Sequence, residues 1–186
     1  MTLSVEEIIR LFKAKGSAWY GSEPVSQLEH AAQCAMLAEA EGAPPDLVAA
    51  SFLHDIGHLL AHRAHEIGFD ADDAHQYMAV PFLRGAFPES VLAPIRLHVD
   101  AKRYLCFADH GYWEALSPAS RHSLALQGGV FNREETDRFL AMPFSDEAVR
   151  LRRWDDRAKT PALATPALEH FAQVLRECVR VPAATE

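Results

Sequence analysis

The chain has 186 residues, 49% apolar and 24% charged, which fits one soluble globular domain over 1–186 and excludes a disordered polypeptide. A net charge of −8 argues against non-specific binding to nucleic acid, which relies on clustered Lys and Arg. No apolar run is long enough to span a bilayer and "MTLSVEEIIRLFK" has no signal-peptide core, so a cytoplasmic protein is expected.

Helical signals recur along the chain. "SVEEIIRLFKAKG" offers Ser4 as a cap, Ile8, Ile9 and Phe12 at helical spacing, and Gly16 after the end. "SQLEHAAQCAMLAEAEG" opens on Ser26 and Glu29, a capping-box pattern, and stops at Gly42. "PPDLVAASFLHD" is apolar nearly all round, which predicts a buried central helix entered through prolines. "DDAHQYMAVPFLRG" and "PESVLAPIRLHVDAKRYL" also look helical, the second with an expected kink at Pro94. "SPASRHSLALQGG", "NREETDRFLAM" with Asn132 and Glu135 as a cap pair, "SDEAVRLRRWDDRAK" and "TPALEHFAQVLRECV" complete the set. No run alternates with the period of a half-buried strand, so the fold class is all-α, a compact bundle. Cys34, Cys106 and Cys178 are odd in number and lack CxxC spacing; reduced core cysteines are the simplest reading.

Ten histidines are the compositional oddity. His54 and Asp55 close the apolar run "ASFLHD", where polar groups need partners. A single buried histidine is more often a satisfied core residue, and a His–Asp pair can be a structural hydrogen bond. That reading weakens as candidates accumulate. His30, His75, His98 and Asp155 also sit in segments whose other members look buried. Together with His54 and Asp55 they suggest a polynuclear metal centre, built as bundles build such sites, from inward-facing side chains on separate helices.

The order His30, His54–Asp55, Asp155 resembles the H…HD…D signature of the HD-domain superfamily, an all-α fold of metal-dependent phosphohydrolases. His75 and His98 match its expanded version, which holds two metals. "YGSEPVSQLEH", "HDIGH", "HVDAKRYL", "LQGG" and "RRWDDRAK" are similar to a narrower group, the mixed-valent diiron oxygenases of organophosphonate breakdown (the PhnZ and TmpB group). Inositol oxygenase is a more distant relative. The likeness implies one iron held by His30, His54, Asp55 and Asp155, and a second held by Asp55, His75 and His98, with Asp55 bridging. Asp155 is preferred to Asp156 because it directly follows the aromatic in "RWD". The implied cofactors are two Fe ions, Fe(II)/Fe(III), with O2 as co-substrate.

Lys102 lies four residues after His98, His58 four after His54, and Arg152 three before Asp155. Three cations at helical spacing from metal ligands suggest a phosphate or phosphonate substrate. The resemblance places phosphonate contacts at these positions and at Ser120, with Gln127 as a further suggestion. It makes Tyr20 the occupant of an open position on the second iron, and has Glu23 hold that Tyr and face the substrate's amino end. Trp19 is either a core residue or, beside an acid, a cation–π partner for a quaternary ammonium. The second choice favours an N-trimethylated substrate over a primary amine.

The expected reaction is O2-dependent cleavage of the carbon–phosphorus bond of a 1-hydroxy-2-(amino or trimethylammonio)ethylphosphonate, giving phosphate and glycine or glycine betaine. An HD phosphohydrolase using the same metals as Lewis acids is the rival enzyme, and a nucleotide-sensing HD module the non-enzymatic alternative. "YGSE" separates them, because hydrolysis needs no displaceable Tyr. The sequence is silent on oligomeric state, and a monomer is compatible with it.

Overall fold

The structure, a computed structural model, describes residues 2–60 and 75–180, with His75 described in its backbone alone. The elements are α1 (Val5–Lys15), α2 (Gln27–Ala40), α3 (Pro45–Leu53), α4 (His75–Leu83), α5 (Glu89–Ala108), α6 (Tyr112–Ala115), α7 (Pro118–Leu126), α8 (Arg133–Leu140), α9 (Ser145–Arg157) and α10 (Leu168–Glu177). Among the described residues there is no β-sheet, and the fold is all-α; an isolated antiparallel bridge joins Trp19 to Ser26. No helix among these residues is long and apolar enough to cross a membrane.

Local chemistry explains where the helices start. Ser4, Ser26 and Asn132 each accept a hydrogen bond from the amide three residues on, and Glu7, Glu29 and Glu135 return one to the cap amide. Two orphan donors per helix are thereby satisfied. Ser117 caps α7 through the Ser120 amide, and Pro118 enters its first turn.

The helices α2, α3, α5 and α9 surround the site and pack on one another. The contact faces of α2 and α3 are rich in small residues: Ala31, Ala35 and Ala38 on one, Ala49 and Ala50 on the other, all buried. Small side chains let helix axes approach closely, which brings polar groups on the two helices within reach of one another. Phe52 on α3 stacks on Phe171 of α10 at 4.8 Å and meets Phe12 of α1 at 4.7 Å, so the outer helices are held by an aromatic row.

The structure adds detail to three of these helices. α3 stops at Leu53, one residue before His54, and the chain makes a tight turn closed by His58 N–H donating to Asp55 O at 3.0 Å; helix resumes over 56–60. The His–Asp pair therefore sits at a helix break and not inside a helix. Pro94 lies inside α5, and helix continues on both sides of it, with Ala93, Pro94 and Ile95 all buried. α9 ends at Arg157, so Lys159 leaves the helix axis. The helix expected from "DDAHQYMAVPFLRG" is seen from His75 to Leu83, and 72–74 lie outside the described residues. None of the three cysteines is bridged.

Candidate active site

Three histidines are aimed by the main chain. His30 Nδ1 faces Ala158 O at 2.8 Å, His54 Nδ1 faces Ser51 O at 2.8 Å, and His98 Nδ1 faces Ile95 O at 2.7 Å. A carbonyl only accepts, so each Nδ1 carries the hydrogen and each neutral ring turns an Nε2 lone pair inward. The Ala158 carbonyl is itself held in place. Gln33 on α2 donates Nε2 to Thr160 O at 2.8 Å and accepts from Thr160 N at 3.0 Å, tying the segment after α9 to α2. Trp154 anchors α9 the same way, donating Nε1 to Glu41 Oε2 at 2.8 Å.

His30 Nε2 and His54 Nε2 lie 3.2 Å apart, both rings wholly buried. Two lone pairs this close repel unless a proton or a cation lies between them. The carboxylates crowd the same point: Asp155 Oδ1 is 3.4 Å from His30 Nε2, and Asp55 Oδ2 is 3.3 Å from His54 Nε2. Burial lowers the His54 pKa, but Asp55 and Asp155 outweigh it and raise the ring to about 9, so a proton occupies this point at neutral pH wherever no metal cation replaces it. His30, His54 and Asp155 present ligand atoms within 4.8 Å of one another. Asp155 Oδ1 is buried and accepts no hydrogen bond by ordinary geometry. Imidazole nitrogens with carboxylate oxygens around one point fit an iron ion as well as zinc or other transition metals.

Asp55 divides its oxygens. Oδ2 faces His30 and His54, while Oδ1 lies 3.7 Å from His98 Nε2 and 4.0 Å from His58 Nε2. That arrangement suits a carboxylate between two ions. The side chain of His75, expected as a ligand of the second ion, lies outside the described residues.

A cavity of about 230 Å³ opens on this cluster. Tyr20, Glu23, His58, Lys102, Ser120, Gln127 and Arg152 all line it, together with Asp55, His98 and Asp155. The Tyr20 ring stacks on His30 with centroids 3.8 Å apart. Burial, then the nearby Asp55 and Asp155 carboxylates, pushes its phenol well above the usual range and keeps it neutral. Lys102 is 2% exposed and donates to Ser123 Oγ at 2.8 Å. Burial first, and Arg152 second, lower its pKa to about 7. A buried ammonium with one hydroxyl partner is a ready site for an anion.

Arg152 is not a free cation. Its guanidinium holds Asp155 Oδ2 at 2.7 Å and both oxygens of Asp156, and Tyr112 donates its hydroxyl to Asp156. Burial alone would raise the Asp155 pKa; Arg152 reverses this and holds the carboxyl well below its usual range. Arg152 thus orients Asp155, the member of the Asp155–Asp156 pair that joins the histidine cluster.

Two sequence expectations meet different surroundings. Trp19 is 70% exposed and is absent from the cavity wall; it borders shallow surface hollows beside Lys13, Ser17 and Leu28. One of these hollows shares Gln27 and His58 with the cavity, so Trp19 stands beside the site and outside its wall. Glu23 lines the cavity, and its Oε1 accepts from both Ser117 Oγ at 2.5 Å and Lys159 Nζ at 2.9 Å. Its link to Tyr20 is a main-chain one, Glu23 N–H to Tyr20 O at 3.0 Å.

Lys159, Gln33, Tyr112 and Asp156 were not anticipated as members of the site. Lys159 carried a usable signal, four residues after Asp155. Gln33 and Tyr112 carried none, since their partners are distant in sequence.

No family model matches this chain. Curated relatives do. A hydroxymethylphosphonate dioxygenase of Gimesia maris is 40% identical over 177 residues, covering 94% of this chain and 88% of its own length. A [1-hydroxy-2-(trimethylamino)ethyl]phosphonate dioxygenase (glycine-betaine-forming) of Leisingera caerulea is 37% identical over 180 residues, covering 94% of this chain and 90% of its own. An uncharacterized protein of Acanthamoeba polyphaga mimivirus is 33% identical over 177 residues, with 94% and 81% covered.

Proposed function

Because this chain belongs to the family of phosphonate dioxygenases, we propose that it is an O2-dependent non-haem diiron oxygenase that cleaves the carbon–phosphorus bond of a 1-hydroxyphosphonate. The substrates named for the two dioxygenase relatives share a hydroxyl on the carbon bonded to phosphorus. That shared unit is the proposed substrate core. With hydroxymethylphosphonate, one substrate and one O2 balance to one formate and one dihydrogen phosphate, with no external reductant. With the 2-amino or 2-trimethylammonio substrates the carboxylate product is glycine or glycine betaine.

The observation that carries the reading is the set of inward Nε2 lone pairs on His30, His54 and His98 around Asp55 and Asp155. His30, His54, Asp55 and Asp155 would hold one iron, and Asp55, His75 and His98 the other. When bound, the Fe(II)/Fe(III) pair supplies the redox chemistry that activates O2.

The chain's own groups bind and orient. Lys102 offers its ammonium to the phosphonate, next to the Ser123 hydroxyl. His58 and Ser120 line the same cavity and add polar contacts. Arg152 lines the cavity and keeps Asp155 ionised and aimed, its charge being met by Asp155 and Asp156. Tyr20, neutral and stacked on His30, covers the cluster and must withdraw to admit substrate. Holding the carbon–hydrogen bond at C1 in one orientation is a positioning effect, which lowers the barrier without new chemistry. The proposal treats 1–186 as a single HD domain in the cytoplasm, to which the unbridged cysteines are suited.

The test is a paired assay on iron-loaded protein. O2 uptake and phosphate release in equal amounts from hydroxymethylphosphonate or a 1-hydroxy-2-aminoethylphosphonate is the expected result. Phosphate release from a phosphoester with no O2 uptake overturns the reading. One bound metal per chain overturns the dinuclear part of it.

A further inference from the structure

Helix α7 brings Ser120 and Ser123 to the cavity wall, and Gln127 at its end, yet Ser120 and Leu124 are the residues it buries. A helix with so little buried surface is not placed by core packing. Polar ties place it instead. At its start, Ser117 Oγ and Ser120 Oγ lie 3.3 and 3.1 Å from Lys159 Nζ. In its middle, Ser123 Oγ donates to Ser120 O at 3.1 Å and turns a lone pair to Lys102 Nζ at 2.8 Å.

The end of α7 is held by Arg103. Lys102 and Arg103 are neighbours on α5, so their side chains leave the helix about 100° apart. Lys102 lines the cavity and Arg103 does not. The Arg103 guanidinium faces the turn after α7, where Nε donates to Gly129 O at 2.8 Å and Nη2 to Gly128 O at 3.0 Å. A cation is well placed at this carbonyl end of a helix. Nη2 also lies 3.2 Å from Glu135 Oε1, while Glu135 Oε2 accepts the Asn132 amide at 2.8 Å in the cap of α8. The guanidinium carbon stands 4.3 Å from the centre of the Phe131 ring, and Phe131 N–H meets Arg103 O at 3.4 Å. One residue thus ties the end of α7 and the start of α8 to α5. The fit is close: Gly128 has φ +94°, and a Cβ there would come within 3.0 Å of Nη2.

We propose that Arg103 is a positioning residue for the anionic end of the substrate. By clamping the Gly128–Gly129 turn to α5 it fixes α7, and with it Ser123 and Gln127, against Lys102. A lysine would not replace it, because a guanidinium serves two carbonyls and a carboxylate from one plane, whereas an ammonium is a point donor. The inference rests on the reading that the phosphonate meets Lys102. It adds a residue outside the cavity that sets what stands opposite that lysine.

The experiment uses iron-loaded full-length protein, with hydroxymethylphosphonate and inorganic phosphate as probes. Arg103→Met is expected to raise KM for hydroxymethylphosphonate, and the anaerobic dissociation constants of both probes, by about tenfold. Its kcat should stay within about twofold of native and its iron content should be native, the pattern of lost binding and not of lost chemistry. Arg103→Lys keeps the charge and serves where Arg103→Met folds poorly; it is expected to raise KM by about threefold or more. In a Lys102→Met background, Arg103→Met is expected to cost less than about threefold, because the group that α7 is set against is gone. An undiminished loss in that background, or a KM within about twofold of native in both Arg103 variants, overturns the proposal. Hydrogen exchange adds a readout free of ligand. The Gln127 and Gly129 amides, bonded to Ser123 O and Leu124 O at 2.9 Å each, are expected to exchange about tenfold faster or more in Arg103→Met, with α2 and α9 unaltered. Unaltered exchange at both amides also overturns it. Native protein that binds neither probe counts against the 1-hydroxyphosphonate reading, and exchange then decides whether Arg103 is the clamp.

Discussion

At the metal end of the cavity, His30, His54 and His98 each donate Nδ1–H to a main-chain carbonyl. Along the α7 wall, Lys102 and Lys159 reach side-chain hydroxyls and one carboxylate. Main-chain carbonyls are positioned largely by the helices, so the three imidazoles are aimed by the fold, with Gln33 steadying the segment that carries Ala158 O. The α7 wall is aimed by side chains, and one substitution there rewrites its charge.

Breaking the metal end should produce the largest effects. His54→Ala or Asp155→Ala removes a proposed ligand. Activity is expected to fall by more than about 100-fold, beyond the loss typical of changing a group behind a ligand. Metal analysis of the purified variants checks whether iron goes with it. Arg152→Met leaves Asp155 and Asp156 buried without their cation. It is expected to cost about 3–5 kcal/mol of stability, read from urea unfolding. An unchanged midpoint would show that solvent already shields the pair.

Changing the α7 wall should be milder and more selective. Lys102→Met is expected to raise KM for a phosphonate by about 10- to 100-fold, the worth of a hydrogen bond to a charged group. Metal content should stay native. The same variant has a pH signature in the absence of substrate. Burial depresses the folded Lys102 pKa to about 7, against roughly 10.4 for an unfolded lysine. Between these values the unfolded chain holds a proton that the folded chain has released. The Lys102 contribution to stability therefore rises from about pH 7 to about pH 10, and below pH 7 it is flat. Lys102→Met should remove that rise, measured as urea midpoints at pH 7 and pH 9.5.

The smallest effect comes from the frame behind the metal end. Ser26→Ala removes the capping box of α2, the helix that carries His30 and Gln33. It is expected to cost about 1 kcal/mol, read by thermal unfolding, with KM for a phosphonate unaltered. A changed KM would mean that the α2 start also steers the Glu23 loop.

The helices were legible in the sequence because caps and apolar spacing are local. Ser4, Ser26 and Asn132 start helices where their patterns place them. The break after Leu53 was not legible, since "FLHD" reads as continuous helix until His54 Nδ1 is seen to bind Ser51 O. Cationic partners were harder still. Arg152, Lys102 and Lys159 look alike as residue types, and their net charge in place depends on which carboxylate each one meets. Trp19 beside Tyr20 looked like a pocket residue; it stands exposed in a neighbouring hollow that shares Gln27 and His58 with the cavity.

The amino-acid sequence by itself determined the all-α class, the helix starts and the inventory of imidazoles and carboxylates, all of which follow from short-range spacing. Only the tertiary structure decided that His30 and His54 face each other at 3.2 Å and that Lys159 neutralises Glu23. Those pairings join residues on different helices or well beyond one turn, and electrostatic energy depends on their separation and burial, which no local pattern encodes.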